Sequence, residues 1–186
     1  RDRSVSRGLG DVYKRQANPS VVKLWRNCEM AARTVIEEHR TVRLKNGIAF
    51  GYINGNLFIK LPSGRKLCYW NAHLKMDPRG GREHIVYMGV NQETKQWGET
   101  ETYGGKLVEN ITQAIARDCL AISMQRVAAL GYNIVMHVHD EMIVDVPIED
   151  TDALERINAC MGEAIPWAPG LPLRGDGYET PFYMKD

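Results

Sequence analysis

The sequence predicts an α+β domain in which helices pack against an antiparallel sheet. Three observations predict it. Two segments, near residues 18–39 and 106–130, carry apolar residues at three-to-four spacing, the period of an amphipathic helix. Between them lie short runs of β-branched and aromatic residues separated by strong turn signals. Helices therefore alternate with hairpins rather than with single strands, the pattern of an antiparallel sheet.

In chain order, "ANPSVVKLWRNCEMAARTVIEEH" offers Asn18 as N-cap and Pro19 at the first helical position. Val21, Leu24, Trp25, Cys28 and Ala31/Ala32 then mark one face. "FGYINGNLFIKLPSGRKLCYW" holds two turns, Asn54-Gly55 and Pro62-Ser63-Gly64, between strands. "HLKMDPRGGREH" reads as an exposed loop, "HIVYMGV" as a strand, and "NQETKQWGETETYGG" as a polar stretch. Gly104-Gly105 precede the clearest helix, "KLVENITQAIARDCLAISMQRVAAL", with Gly131 in the C′ role. Its apolar face carries Leu107, Ile111, Ile115 and Ile122, while Asn110, Gln113 and Arg117 form a polar stripe at i, i+3 and i+7. "NIVMHVHDEMIVDVP" reads as a buried strand, a tight turn at His139-Asp140-Glu141 and a buried returning strand. A last helix, "IEDTDALERINACMGEAI", and a short strand, "LPLRGD", are expected to close the fold.

The chain has 186 residues, 44% of them hydrophobic and 25% charged, enough for one core. No apolar run approaches the roughly 18 residues of a membrane span. The four cysteines, Cys28, Cys68, Cys119 and Cys160, lack CxxC spacing and read as reduced, packed thiols in a cytoplasmic protein. Residues 1–16, "RDRSVSRGLGDVYKRQ", have few apolar residues and no period. They resemble translated sequencing-adaptor sequence, and the native domain is expected to be residues 17–186. Within it charge is unevenly placed. Residues 17–126 hold 16 Lys and Arg against 10 Asp and Glu, and residues 127–186 hold 3 against 11. Such an asymmetry suits a polyanion on one surface and cations on another, and equally suits random scatter.

Several residues carry chemistry. Asp140-Glu141 at a hairpin tip would present hard oxygen ligands of the kind Mg²⁺ or Mn²⁺ prefer, or would be a solvated acidic turn. Phosphoryl transfer by two ions about 4 Å apart needs a further carboxylate from elsewhere in the chain. His137 and His139 alternate along the strand and could join a zinc site, but no third and fourth ligand lies nearby. "YGGK" has neither the spacing nor the preceding strand of a phosphate-binding loop. Asn110, Gln113 and Arg117 could read minor-groove acceptors or phosphates, or form a solvated face. Arg65 and Lys66 after a turn could meet phosphates or protect a sheet edge. The tryptophans read as packing residues.

The order of these pieces resembles the family A DNA polymerases, the DNA polymerase I-like group, and its bacteriophage-type members above all. "QAIARD" on a long helix, then a strand, then "VHDE" and an apolar returning strand match the family's helix and its motif C hairpin. "NPSVVKLW", "LPSGRKLCYW" and "GLPLRGDGYE" resemble the helix after the fingers, the G-R-x-L-Y strand and the closing strand. The resemblance spans about residues 17–186 and implies an incomplete polymerase domain, the C-terminal part of a palm-type sheet. Asp140 then corresponds to the metal-binding motif C aspartate and Glu141 to its acidic neighbour. His139 corresponds to the histidine near the primer terminus, Gln113 to the minor-groove glutamine, and Asp118 to a structural aspartate. The family's asparagine four residues before that glutamine falls on Glu109, with Asn110 one place along. Lys106, Arg117 and Arg65 are candidate phosphate contacts.

The implied cofactor is Mg²⁺, two ions in the intact enzyme. The implied partners are primer-template DNA and deoxynucleoside triphosphates, in the cytoplasm of a phage-infected or bacterial cell. Nothing in residues 17–138 resembles motif A or motif B of the family, so the fragment alone is expected to be inactive. Two other functions use the same residues: a non-catalytic nucleic-acid-binding module, and a small metal-dependent phosphohydrolase.

Overall fold

Helix α1 (Pro19–Glu38) buries Cys28, Ala31, Ala32, Val35 and Ile36, a stripe at i, i+3, i+4, i+7 and i+8. Pro19 starts it as expected, although Asn18 makes no side-chain cap. The helix ends on His39 in the left-handed conformation (φ 54°), whose N–H donates to Val35 O at 3.1 Å. The computed structural model describes residues 18–45, 47–77, 80–81, 83–91 and 94–183; the segment 1–16 lies outside them. The chain divides into two units, one ending at Thr112 and one beginning at Gln113.

The first unit holds a six-stranded sheet in simple meander order: β1 (Val42–Arg43), β2 (Ala49–Ile53), β3 (Asn56–Lys60), β4 (Lys66–Met76), β5 (Glu83–Val90) and β6 (Trp97–Thr102). Every neighbouring pair is antiparallel. The Asn54-Gly55 turn has positive φ at both residues (50° and 80°), the two-residue geometry that Asn-Gly favours. The second turn closes through Leu61 N–H to Arg65 O (2.8 Å) and Gly64 N–H to Leu61 O (2.9 Å).

Two expectations are corrected here. His73–Met76, read as loop, continue β4, and the polar stretch 97–102 is β6. Their mixed charge masks a period of two: in β6, Trp97, Glu99 and Glu101 are exposed while Thr102 is buried. Glu99 pairs across the sheet with Lys75 and His73 of β4, which holds its carboxyl below the usual carboxylate range, chiefly through the Lys75 ammonium.

Phe50, Leu57, Ile59, Leu61 and Ile85 are fully buried. Each such side chain stabilises by about 1.5–3 kcal/mol, against about 0–1 kcal/mol for a surface ion pair. The sheet's apolar face is therefore what holds the unit together. Tyr69 packs edge-on to Tyr87 with ring centroids 5.0 Å apart.

Helix α2 (Gly104–Ala129) begins in the first unit. The Gly104 N–H donates to Glu29 Oε2 at 3.1 Å, so the α1 carboxylate satisfies an otherwise unpaired donor of the first turn. Arg33 joins the same cluster, donating to Glu83 O at 2.6 Å and lying 3.5 Å from Glu29 Oε1.

The second unit contains the rest of α2, the hairpin β7 (Asn133–Val138) and β8 (Glu141–Asp145), and helix α3 (Ala153–Gly162). Gly131 ends α2 with φ 90°, as expected. Arg126 ties α2 to the end of α3, donating to Glu163 O at 2.9 Å and Ala164 O at 2.8 Å, with Nε 3.3 Å from Glu163 Oε2. Tyr132 donates to Asp150 Oδ2 at 2.9 Å, and Arg156 pairs with that carboxylate while its guanidinium lies 5.6 Å from the Tyr132 ring centre.

The expected closing strand "LPLRGD" is not a strand: residues 171–180 have no regular secondary structure. Pro172 removes one ladder donor, and the backbone lies along α3 instead. A Cβ on Gly175 would stand 2.7 Å from the Asn158 backbone, and one on Gly177 would stand 3.1 Å from the Leu154 side chain. The two glycines allow that approach.

Candidate functional site

β7 and β8 form a two-stranded antiparallel ribbon in which Val138 faces Glu141. The turn is therefore the residue pair His139-Asp140, and Glu141 opens the returning strand. His139 sits at φ 51°, in the left-handed region where histidine is found more often than most side chains. Asp140 and Glu141 are both exposed, the first at the tip and the second beside it. The Tyr183 hydroxyl approaches Glu141 Oε1 at 3.5 Å, the far limit of a hydrogen bond.

The flanking runs are not buried as expected. Val135 is 54% exposed and Met136 42% exposed, and the other apolar residues of both strands are only partly covered. A two-stranded ribbon has no second layer of its own to bury both faces.

The ladder also carries an irregularity that the sequence pattern conceals. Ile134 pairs with Val144 and Met136 with Ile143, so Val135 is an inserted bulge residue. Because Met142 and Val144 share a face, their partners His137 and Ile134 share it too. Glu141 and Ile143 lie on the opposite face, with Val138 and Met136.

His137 meets α2 on its face. Arg117 Nη2 lies 3.0 Å from His137 Nε2, and Nη1 lies 3.4 Å from Nδ1. The lone pairs of the two ring nitrogens diverge, and a neutral imidazole has one acceptor nitrogen. One approach is thus a hydrogen bond, and the flat guanidinium is otherwise held against the ring. Sequence reasoning weighed His137 only as a zinc ligand; the bulge that turns it toward Arg117 leaves no composition signal.

Of the other candidates, Gln113 and Arg117 are exposed on the α2 portion of the second unit. Asn110 belongs to the first unit, where its amide donates to the Tyr69 hydroxyl at 2.9 Å. Lys106 is half-buried in the first turn of α2, and Arg65 is exposed at the end of the Leu61–Arg65 turn. Asp118 is half-buried.

Asp140 and Glu141 are hard oxygen donors suited to Mg²⁺. Among the described residues, however, no group of three or more His, Cys, Asp or Glu side chains is placed to hold an ion. Two adjacent carboxylates on an open turn supply part of a metal site and do not complete one. No helix among the described residues is long and apolar enough to cross a membrane.

Comparison with known proteins bears on what such a partial site belongs to. The chain is 49% identical over 172 residues to a DNA polymerase of Bacillus phage SP02. It is similar to a phage DNA polymerase. The match covers 92% of this chain and 26% of that polymerase, so the chain spans about a quarter of its relative's length. No family model matches the chain, and no solved structure matches it.

Proposed function

We propose that this chain is a segment of a family A DNA-directed DNA polymerase, the C-terminal part of its palm. The observation that carries the reading is the 49% identity, over nearly the whole chain, to a DNA polymerase. The exposed acidic step on a hairpin turn supports it. In the parent protein Asp140 is a metal ligand, Glu141 an electrostatic partner, and the cofactor is a pair of Mg²⁺ ions. Those ions, when bound, activate the primer hydroxyl and neutralise the triphosphate. His139 and Gln113 meet the primer-template, and Arg117, Lys106 and Arg65 meet its phosphates. Asn110 stands apart from this set, because its amide already serves Tyr69. The substrates are primer-template DNA and deoxynucleoside triphosphates, and the setting is the cytoplasm of an infected cell.

The 186-residue chain alone gives no primer extension in this reading. A single acidic step binds Mg²⁺ weakly, because that ion gives up its water reluctantly without substrate phosphates. Without a nucleotide-gripping element, positioning that can lower a barrier by about 7–11 kcal/mol is lost. The test is a chimera in which the matching 172 residues of the phage SP02 polymerase are replaced by those of this chain. The chimera should extend a primer with Mg²⁺, and Asp140→Ala should abolish extension. An active chimera indifferent to Asp140→Ala, or extension by the chain alone, refutes the reading.

A further inference from the structure

We propose that His137 is a positioning residue, holding the Arg117 guanidinium in place to grip a phosphate of the nucleic-acid backbone. The inference rests on the DNA-polymerase reading and names a member of the site that neither the sequence motif nor the similarity to the phage polymerase assigns.

Arg117 is exposed, and among the described residues it makes no ion pair with a carboxylate. Its charge is not spent inside the fold. A free arginine side chain would sample many rotamers and lose that freedom on gripping an anion. Here both terminal nitrogens already lie against the two ring nitrogens of His137, at 3.0 and 3.4 Å. An imidazole carries no negative charge, so it restrains the fork without neutralising it. The guanidinium has five donors, and one hydrogen bond to the ring leaves the others available. A phosphate, with several oxygens in reach of a planar fork, is the ligand such a group recognises best.

The geometry that delivers His137 is itself specific. The Val135 bulge puts His137 on the face shared with Ile134, Met142 and Val144, and away from the face of Glu141. One hairpin thus presents an acidic step for a cation and, on its other face, a brace for a phosphate-binding cation.

The test measures binding of the 186-residue chain to a fluorescent primer-template duplex, by anisotropy, between about 50 and 200 mM salt. Arg117→Ala should weaken binding by about three- to tenfold and lower the salt slope by about one. His137→Ala should reproduce part of the affinity loss, and His137→Gln, a planar side chain with an acceptor, should restore it. The decisive measurement is the double variant, which should bind no worse than Arg117→Ala alone. Losses that add in the double variant, or a silent His137→Ala beside a costly Arg117→Ala, overturn the positioning role. A silent Arg117→Ala on a chain that binds duplex overturns it and leaves the polymerase reading standing. A wild-type chain that binds no duplex counts against both, and extension by the chimera then decides whether the polymerase reading survives.

Discussion

A Cβ on Gly104 would lie 2.1 Å from the carbonyl oxygen of Trp25, 2.7 Å from its carbonyl carbon and 3.2 Å from Glu29 Cβ. The first two are backbone atoms in the middle of α1, so no rotamer change can clear them. Ordinary carbon–oxygen contacts fall near about 3.3–3.6 Å, so the two helices would have to separate by more than about an ångström. Overpacking of that kind costs about 1–3 kcal/mol. The same movement would stretch the Gly104 N–H···Glu29 hydrogen bond, now 3.1 Å, whose charged acceptor makes it worth more than a neutral one. Against this, alanine is favoured over glycine in a helix by at most about 1 kcal/mol. Gly104→Ala should therefore destabilise the chain by about 2–4 kcal/mol, lowering Tm by about 5–15 °C. Gly105→Ala is the control. Its Cβ would meet the Tyr103 ring edge at 2.9 Å, and Tyr103 is an exposed side chain free to rotate. Thermal and urea unfolding of the three proteins settle it. Gly104→Ala as stable as wild type, or Gly105→Ala costing more than Gly104→Ala, would refute the packing argument.

Arg126→Lys should lose about 1–2 kcal/mol in urea unfolding, because an ammonium cannot reproduce the fork that serves Glu163 O and Ala164 O together. His139→Gly should leave stability unchanged or raise it by about 1 kcal/mol, whereas His139→Val should cost about 1–2 kcal/mol, since φ is 51° there; equal stabilities would show that the turn relaxes. Burial pushes the Cys28 thiol up to about 11, so the unfolded chain ionises first and stability should fall from about pH 8.5 toward pH 11. Cys28→Ala should flatten that fall, and a thiol reagent at pH 8 should modify exposed Cys68 while buried Cys28 and Cys119 resist until denaturant is added.

What the sequence made legible follows from where local chemistry decides the structure. The α1 stripe, the Asn54-Gly55 turn and the Gly131 terminus are each set by a few adjacent residues, and each stands where the pattern put it. β6 was hidden because its exposed residues are charged and its inward Thr100 and Thr102 are polar. Those two hydroxyls are buried without a hydrogen-bond partner among the described residues, an arrangement no propensity scale anticipates. "LPLRGD" failed for the converse reason: a strand needs a ladder partner, and this segment lies against α3. At the candidate site, the hairpin and its exposed tip were readable from two apolar runs around a polar step. The role of Gly104-Gly105 was not, because the contact that demands Gly104 comes from Trp25, about 80 residues away in the chain.

The Val135 bulge sets a rule for how this hairpin can change over generations. Losing that one codon would leave His139 and Asp140 at the tip and every residue type in place. It would also restore simple alternation, with Ile134 and His137 two places apart, still on one face of the ribbon and still opposite Val144 and Met142. Arg117 would keep its imidazole and the strand's apolar residues their faces. Shortening β7 by its bulge residue is therefore tolerated without a compensating change, and substitutions at Val135, which is 54% exposed, are nearly free as well. Here the cross-strand pairing is inherited more strictly than the number of residues that deliver it.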